Sequence, residues 1–169
     1  MSIILNSNLQ NIKVLIADDE RMIQGLVYDV LKQLGFTQIT IANSGRQAIE
    51  LVSKFPFDFI ISDWRMKDLD GIDLIRFVRT SPESPNPHIP IILLTGNTES
   101  YYVLTARDAG VNEYLIKPFT AEQLVRRIRS LIERPRGFVE SPGYRGPDRR
   151  HRDAPWPKDS DRRKPKDKK

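Results

Sequence analysis

The sequence predicts an α/β protein with a doubly wound, five-stranded parallel sheet and five helices. The main observation is that short apolar runs alternate five times with longer segments whose apolar residues recur at helical spacing. The apolar runs are almost continuous, which indicates strands that are covered on both faces. The connections are short, so right-handed crossovers would place helices on both sides of the sheet.

Each predicted strand is a short aliphatic run that ends beside polar or turn-forming residues. Pro90 is acceptable because it lies near the start of its strand, where no ladder hydrogen bond is needed. The preceding loop, residues 81–88, contains three prolines and cannot be helical. The predicted strands are 12–17, 38–42, 58–63, 89–94 and 113–116.

The predicted helices are delimited by capping and stop signals. Ser44 with Gln47, and Thr120 with Gln123, match the capping-box pattern of helix N-termini. Gly35 suits the left-handed position that ends a helix. The apolar faces of the five helices lie within residues 23–34, 48–52, 72–78, 99–108 and 124–132.

Charge is distributed unevenly along the 169 residues. Residues 1–133 carry 14 Lys+Arg and 16 Asp+Glu, whereas residues 134–169 carry 13 and 6 and contain half of the 12 prolines. A segment with so few aliphatic residues buries too little apolar surface to offset its ordering entropy. We therefore expect a folded domain over 1–133 and a basic tail over 134–169 that is disordered when free.

The absence of cysteine excludes disulfides and thiolate metal sites. The sequence shows neither a signal-peptide pattern nor an apolar stretch of about 20 residues that would span a membrane. We expect a cytoplasmic protein with no membrane contact. His88 and His151 have no companion ligand in the sequence and are interpreted as bystanders.

Polar side chains stand at the ends of four of the predicted strands. Asp18 and Asp19 follow the first strand, Asp63 ends the third, Thr95 follows the fourth and Lys117 follows the fifth. In open α/β sheets ligands bind at the carboxyl ends of the strands, so we expect one shared site. Three close carboxylates repel unless a cation lies between them, and an all-oxygen ligand set favours Mg²⁺. Carboxylates, Mg²⁺, a hydroxyl and a lysine suit phosphoryl transfer, in which a carboxylate can itself be the nucleophile.

These motifs make residues 12–133 similar to the receiver domain of bacterial two-component response regulators, which has a flavodoxin-like (βα)5 fold. No single motif is specific, but five of them occur in the family's order and spacing. They are Asp18-Asp19, Asp63 within residues 63–71, Thr95-Gly96, Ala109-Gly110-Val111 before Tyr114-Leu115, and Lys117-Pro118-Phe119.

The resemblance implies a role for each acidic residue of the site. Asp63 would accept a phosphoryl group from a phosphohistidine on a sensor histidine kinase or a histidine phosphotransfer protein. Asp19 and Asp63 would bind Mg²⁺ directly, together with the backbone carbonyl of Arg65. Asp18 would act on the ion through water.

The resemblance also implies how the signal leaves the site. Thr95 and Lys117 would contact the phosphoryl oxygens, and Tyr114 would be the aromatic switch that responds to movement of Thr95. The surface of residues 99–133 would then change and contact a downstream protein. The protein would be a monomer or would dimerise on phosphorylation.

Two positions depart from the family's pattern. Lys67 replaces the usual proline, which predicts a less rigid loop after Asp63. Arg65 lies where the family tunes dephosphorylation, and its long cationic side chain predicts slow self-hydrolysis of the phosphorylated form.

The leading interpretation is a stand-alone, chemotaxis-type receiver that is a signalling phosphoacceptor and not an enzyme. A phosphorelay intermediate, a phosphate sink and a regulator that binds nucleic acid through its tail are alternatives, although the tail lacks a recognition motif. The tail segment 144–150 is a candidate docking peptide. An aspartate-phosphate phosphatase would need an acid where Arg65 stands, and Asp18-Asp19 would repel the phosphate of a flavodoxin-like cofactor.

Overall fold

The computed structural model describes residues 8–149, which form a parallel sheet with helices on both faces, followed by a hairpin. The strands of the sheet are β1 (Lys13–Ala17), β2 (Gln38–Ala42), β3 (Phe59–Asp63), β4 (Ile91–Thr95) and β5 (Glu113–Ile116). The helices are α1 (Arg21–Leu34), α2 (Gly45–Lys54), α3 (Gly71–Thr80), α4 (Ser100–Ala109) and α5 (Ala121–Glu133). The strand order is β2-β1-β3-β4-β5 and every pairing in the sheet is parallel, as predicted.

Successive residues of each strand point to opposite faces of the sheet, and both faces are buried along β1, β3, β4 and most of β5. On one face Leu15, Ile60 and Leu93 pack with α2, α3 and α4. On the other face Ile16 and Ile61 pack with α1 and α5. This two-sided burial explains why the strand sequences are continuously apolar.

The helix signals correspond closely to the observed helix ends. Thr120 forms the predicted capping box with Gln123, and Gly35 adopts a left-handed conformation after α1. Ser44 accepts a hydrogen bond from the Gln47 N–H, but the Gln47 side chain accepts from Asn43 instead of completing a capping box. No helix in residues 8–149 is long and apolar enough to cross a membrane.

The prediction of disorder after residue 134 is corrected for the first part of that segment. β6 (Phe138–Ser141) and β7 (Tyr144–Pro147) form an antiparallel hairpin, and β7 contacts α3 and α4. The prediction considered only aliphatic burial, whereas this hairpin is held by aromatic, arginine and backbone contacts. His88, interpreted from sequence as a bystander, stacks on Phe138 with ring centroids 3.9 Å apart. The predicted disorder of residues 150–169, including His151, concerns residues outside the described range.

Gly71 places α3 directly against the end of β3, and this contact yields a prediction. A Cβ at Gly71 would lie 2.1 Å from the Asp63 carbonyl oxygen. Gly71→Ala should therefore lower the free energy of unfolding by about 1–3 kcal/mol, a typical cost of overpacking. Urea unfolding followed by circular dichroism measures the change.

Gly25→Ala is the matched control, because nothing lies within 4 Å of a Cβ at this exposed position of α1. Alanine in a helix interior should add roughly 0.5–1 kcal/mol of stability. Equal unfolding midpoints for the Gly71→Ala variant and the unsubstituted protein would contradict the proposed steric constraint.

Candidate functional site

The carboxyl ends of β1, β3, β4 and β5 lie side by side at one edge of the sheet. Asp18 follows β1, Asp63 is the last residue of β3, Thr95 is the last of β4 and Lys117 follows β5. The Lys117 Nζ lies 2.9 Å from Asp63 Oδ1, so residues from two strands meet in a direct ion pair. The parallel topology therefore assembles one polar site from residues that are distant in sequence.

Three carboxylates surround this lysine. The ligand atoms of Asp18, Glu20 and Asp63 all lie within 4.8 Å of one another. The Lys117 Nζ is 3.9 Å from Asp18 Oδ2 and 3.7 Å from Glu20 Oε1. One ammonium group faces three acids, which leaves the site with excess negative charge.

Burial makes this charge costly. Asp18 is 1% exposed and Asp63 is 4% exposed. The pKa of Asp18 is raised to about 6, mainly by burial and also by the Asp63 charge, while the Glu20 N–H and Lys117 oppose the shift. Burial also raises the pKa of Asp63 against the opposing effects of Lys117 and the Trp64 N–H. Burial alone would lower the pKa of Lys117, but the ion pair with Asp63 and the adjacent acids raises it.

The site fits a hard divalent cation. Asp18 Oδ2 is buried and accepts no hydrogen bond from any described residue. A cation near this oxygen would satisfy it and would relieve the repulsion among the three acids. The donors are all carboxylate oxygens, which Mg²⁺ prefers, and Asp18, Glu20 and Asp63 are the residues that would hold it.

Glu20 is the member of this cluster that the sequence interpretation missed. The signal was present, because an acid directly follows the Asp18-Asp19 pair and its N–H donates to Asp18 Oδ1 over 2.8 Å. Asp19, which the family resemblance implies as a direct ligand of the cation, accepts a hydrogen bond from the Lys67 backbone N–H over 3.0 Å. Proline has no N–H and would be unable to make this bond. Because Lys67 stands where the family usually has proline, the loop after β3 forms a hydrogen bond to Asp19.

Thr95 and Tyr114 belong to one hydrogen-bonded group beside the site. The Tyr114 ring is 4% exposed, and its hydroxyl donates to the Asn97 carbonyl over 2.6 Å. The Thr95 hydroxyl accepts from the Asn97 N–H over 3.0 Å, so both side chains bind the same residue. Burial raises the pKa of Tyr114, so the phenol remains protonated at neutral pH. The last residue of β4 is therefore linked to β5 and to the loop that precedes α4.

Aromatic rings continue from the site onto α4. The Trp64 backbone N–H donates to Asp63 Oδ1 over 2.9 Å. The buried Trp64 ring packs edge-to-face on the Tyr102 ring, with ring centroids 5.4 Å apart. Tyr102 in turn packs edge-to-face on Tyr101, which is 70% exposed. Contacts thus run without interruption from Asp63 to the solvent face of α4.

The remaining predicted residue, Arg65, lies just past β3 with an exposed side chain. The loop it begins is anchored further along, where the Asp68 carboxylate accepts hydrogen bonds from the N–H groups of Gly45 and Arg46 at the start of α2, both over 3.0 Å. These two donations contribute to a lowered pKa of Asp68, although partial burial opposes them.

Comparison with known families gives a match over most of the sheet and its helices. Residues 14–129 match the family described as response regulator receiver domain. The chain is 36% identical over 134 residues to chemotaxis protein CheY-3 of Vibrio cholerae, covering 79% of this chain and 99% of that protein. It is also 36% identical over 125 residues to chemotaxis protein CheY of Pseudomonas aeruginosa, covering 74% of this chain and 99% of that one.

Solved structures show the same architecture. The chemotaxis response regulator CheY4 of Vibrio cholerae superposes with a TM-score of 0.65 at 30% identity, covering 71% of this chain and 98% of that one. The receiver domain of the sensor histidine kinase PA1611 from Pseudomonas aeruginosa superposes with a TM-score of 0.63 at 30% identity, covering 72% and 97% respectively. That structure has a magnesium ion coordinated in its active-site cleft.

The pKa of Asp18 yields a prediction about stability. Its folded-state pKa of about 6 exceeds the ordinary value of 3.8, so it favours folding below pH 3.8 and loses that contribution as pH rises through 6. Without divalent cations at pH 7.5, Asp18→Asn should therefore raise the free energy of unfolding by about 1–3 kcal/mol. Urea unfolding in a chelator, repeated at pH 4 where the gain should vanish, tests this.

Asp29→Asn serves as the control, because Asp29 is an exposed acid on α1. Its stability should follow the unsubstituted protein at both pH values. Mg²⁺ should stabilise the unsubstituted protein more than the Asp18→Asn variant, since a ligand that binds only the folded state stabilises it. A loss of stability in Asp18→Asn at pH 7.5 would refute the prediction.

Proposed function

The chain belongs to the response regulator receiver domain family, and on that premise we propose that the Asp63 carboxylate is its phosphoacceptor. The protein is a signalling phosphoacceptor and not a classical enzyme. The observation that supports this assignment most directly is the 2.9 Å contact between Asp63 Oδ1 and Lys117 Nζ beside a second buried acid. A lysine in this position neutralises charge where a phosphoryl group would add it.

The two oxygens of Asp63 are in different environments. Oδ1 receives both the Trp64 N–H and the Lys117 ammonium, each over 2.9 Å. Oδ2 is therefore the oxygen that forms the bond to phosphorus. Its electron pair attacks the phosphorus of a phosphohistidine as the P–N bond breaks, and the departing imidazole nitrogen keeps the P–N electron pair. The products are an acyl phosphate on Asp63 and a free histidine on the kinase or phosphotransfer protein.

The residues around Asp63 prepare this transfer. When bound, Mg²⁺ would neutralise charge on the phosphoryl oxygens. We assign its ligands to the acidic cluster of Asp18, Glu20 and Asp63. We also retain Asp19 and the Arg65 backbone carbonyl, which the family resemblance implies as ligands. Lys117 contacts Asp63 Oδ1 before transfer, and after transfer it would contact the phosphoryl oxygens.

The transfer also explains how the site signals. A phosphoryl group brings about −1.5 to −2 charges and new acceptor oxygens. The Thr95 hydroxyl, which accepts from the Asn97 N–H over 3.0 Å, would move to donate to one of these oxygens. Tyr114 and Asn97 would then rearrange, and with them the start of α4. We propose the surface of residues 99–133 as the contact for a downstream protein.

A chemical phosphodonor tests the acceptor directly. Incubation with acetyl phosphate and Mg²⁺ should add the mass of one phosphoryl group to the intact protein, and Asp63→Asn should abolish the gain because an amide is not a nucleophile here. Intact-protein mass spectrometry at neutral pH measures both.

Asp58→Asn is the matched control, since Asp58 lies at the opposite end of β3 with its carboxylate on the Lys13 N–H, and it should be modified normally. Modification that persists in Asp63→Asn would show that another residue is the acceptor.

Arg65 yields a prediction about the lifetime of the acyl phosphate. Its cationic side chain is exposed and lies two residues beyond Asp63 in the sequence. Arg65→Asn should speed self-hydrolysis by about 1.4-fold to 5-fold, which corresponds to the roughly 0.2–1 kcal/mol of an exposed ion pair. The decay of phosphorylated protein after donor removal gives the rate. Arg65→Lys should retain most of the effect, and an unchanged rate in Arg65→Asn would argue against any shielding by Arg65.

A further inference from the structure

The C-terminal hairpin lies outside the part of the chain that matches the family. The match ends at residue 129, whereas β6 and β7 cover residues 138–147. β7 contacts α3 and α4, and the hairpin contacts Gly110, which lies between α4 and β5. It therefore sits at the end of the sheet opposite Asp63, against the C-terminal end of α4.

An arginine attaches the hairpin to α4. The Arg149 guanidinium lies 2.8 Å from Asp108 Oδ1, in the last turn of α4. The same guanidinium lies over the Tyr144 ring, with its Cζ 3.6 Å from the ring centroid. The Tyr144 hydroxyl donates to the Pro147 carbonyl over 2.7 Å, which fixes the ring beneath the arginine. Residues 144–149 of the candidate docking peptide therefore contact their own domain.

Two glycines allow the backbones to touch at the same place. A Cβ at Gly146 would lie 2.7 Å from the Gly110 Cα, and a Cβ at Gly110 would lie 2.6 Å from the Arg145 carbonyl oxygen. Gly110 also has a φ of +98°, which favours glycine at the end of α4. Because backbone packs on backbone, a small movement of α4 would directly disturb the hairpin.

The start of the hairpin packs on the buried Arg79 side chain, which is held by hydrogen bonds. Arg79, at the end of α3, is buried and donates to the Gly110 carbonyl and to Asn112 Oδ1, each over 2.9 Å. Its Cζ lies 5.5 Å from the Phe138 ring, which also stacks on His88. The hairpin therefore bridges fixed groups at the base of the sheet and the end of α4.

The other end of α4 contacts the phosphorylation site. The Tyr114 hydroxyl binds the Asn97 carbonyl just before the helix, and Trp64, next to Asp63, packs on Tyr102 in its first turn. A helix of 10 residues is about 15 Å long and moves largely as one body. One short helix thus links Asp63 to the hairpin.

We propose that the hairpin is an intramolecular clamp on α4 whose docking is coupled to the phosphorylation state of Asp63. This proposal rests on the proposed function of Asp63. A change at the site moves the start of α4, and the movement alters the Arg149–Asp108 and Gly110–Gly146 contacts at its other end. Linkage is reciprocal, so hairpin docking must change the affinity of the site for a phosphoryl group by the same factor.

The experiment uses the full chain with Mg²⁺ and beryllium fluoride, which mimics a phosphoryl group on a carboxylate. Hydrogen exchange of the amides of residues 138–147 should change about fivefold or more when the analogue binds. Arg149→Ala loses the ion pair and the ring contact. If the analogue increases exchange in the hairpin, this variant should bind the analogue more tightly; if the analogue decreases exchange, the variant should bind it more weakly. Gly146→Val provides a second, steric route to undocking.

Arg145→Ala is the matched control, because Arg145 is exposed on the same hairpin and its guanidinium has no ion pair within residues 8–149. It should bind the analogue like the unsubstituted protein. A hairpin that is only a structural brace would change the unfolding midpoint without changing the analogue's Kd, and that result would overturn the proposal.

The two proposals fail in different ways. Analogue binding with unchanged exchange in residues 138–147 would overturn the clamp and leave Asp63 as the acceptor. Absence of both analogue binding and acetyl phosphate modification would overturn the acceptor and the clamp together.

Discussion

The burial of like charges at one edge of the sheet is the constraint on which this structure depends. The parallel topology brings Asp18 and Asp63 together in a place where water cannot screen them. Lys117 offsets part of the repulsion through its contact with Asp63, but three acids remain around one ammonium group. Burial of the apolar layers on both faces of the sheet provides free energy of folding that offsets the cost of these buried charges. A divalent cation bound in this acidic cluster would relieve the repulsion.

The sequence predicted most of the fold because the pattern of this domain is locally consistent. Continuous aliphatic strands, capped helices and left-handed glycines all indicated the same architecture. The site was predicted as far as topology determines it, since residues at neighbouring strand ends must meet. Side-chain choices within the site were not predictable: Glu20 joins the acidic cluster and Asp19 turns toward Lys67, and both outcomes depend on loop backbone placement.

The C-terminal hairpin shows why composition alone misjudged the tail. Disorder was inferred from scarce aliphatic residues, yet the hairpin is stabilised by few, specific contacts. Phe138 stacks on His88, Arg149 contacts both Asp108 and Tyr144, and Gly146 fits against the backbone of the domain. Such contacts depend on the surface that receives them, and this surface is formed only after the domain has folded.

The hydrogen bond between the Lys67 amide and Asp19 has a consequence for the choice of metal ligands. A carboxylate oxygen that accepts a hydrogen bond from an amide N–H donates less electron density to a metal, so this backbone group would compete with a bound ion for Asp19. Lys67, which supplies this N–H, lies in the loop after β3 and outside the acidic cluster of Asp18, Glu20 and Asp63. Cation affinity in this protein can therefore evolve through main-chain chemistry while every acidic side chain stays the same.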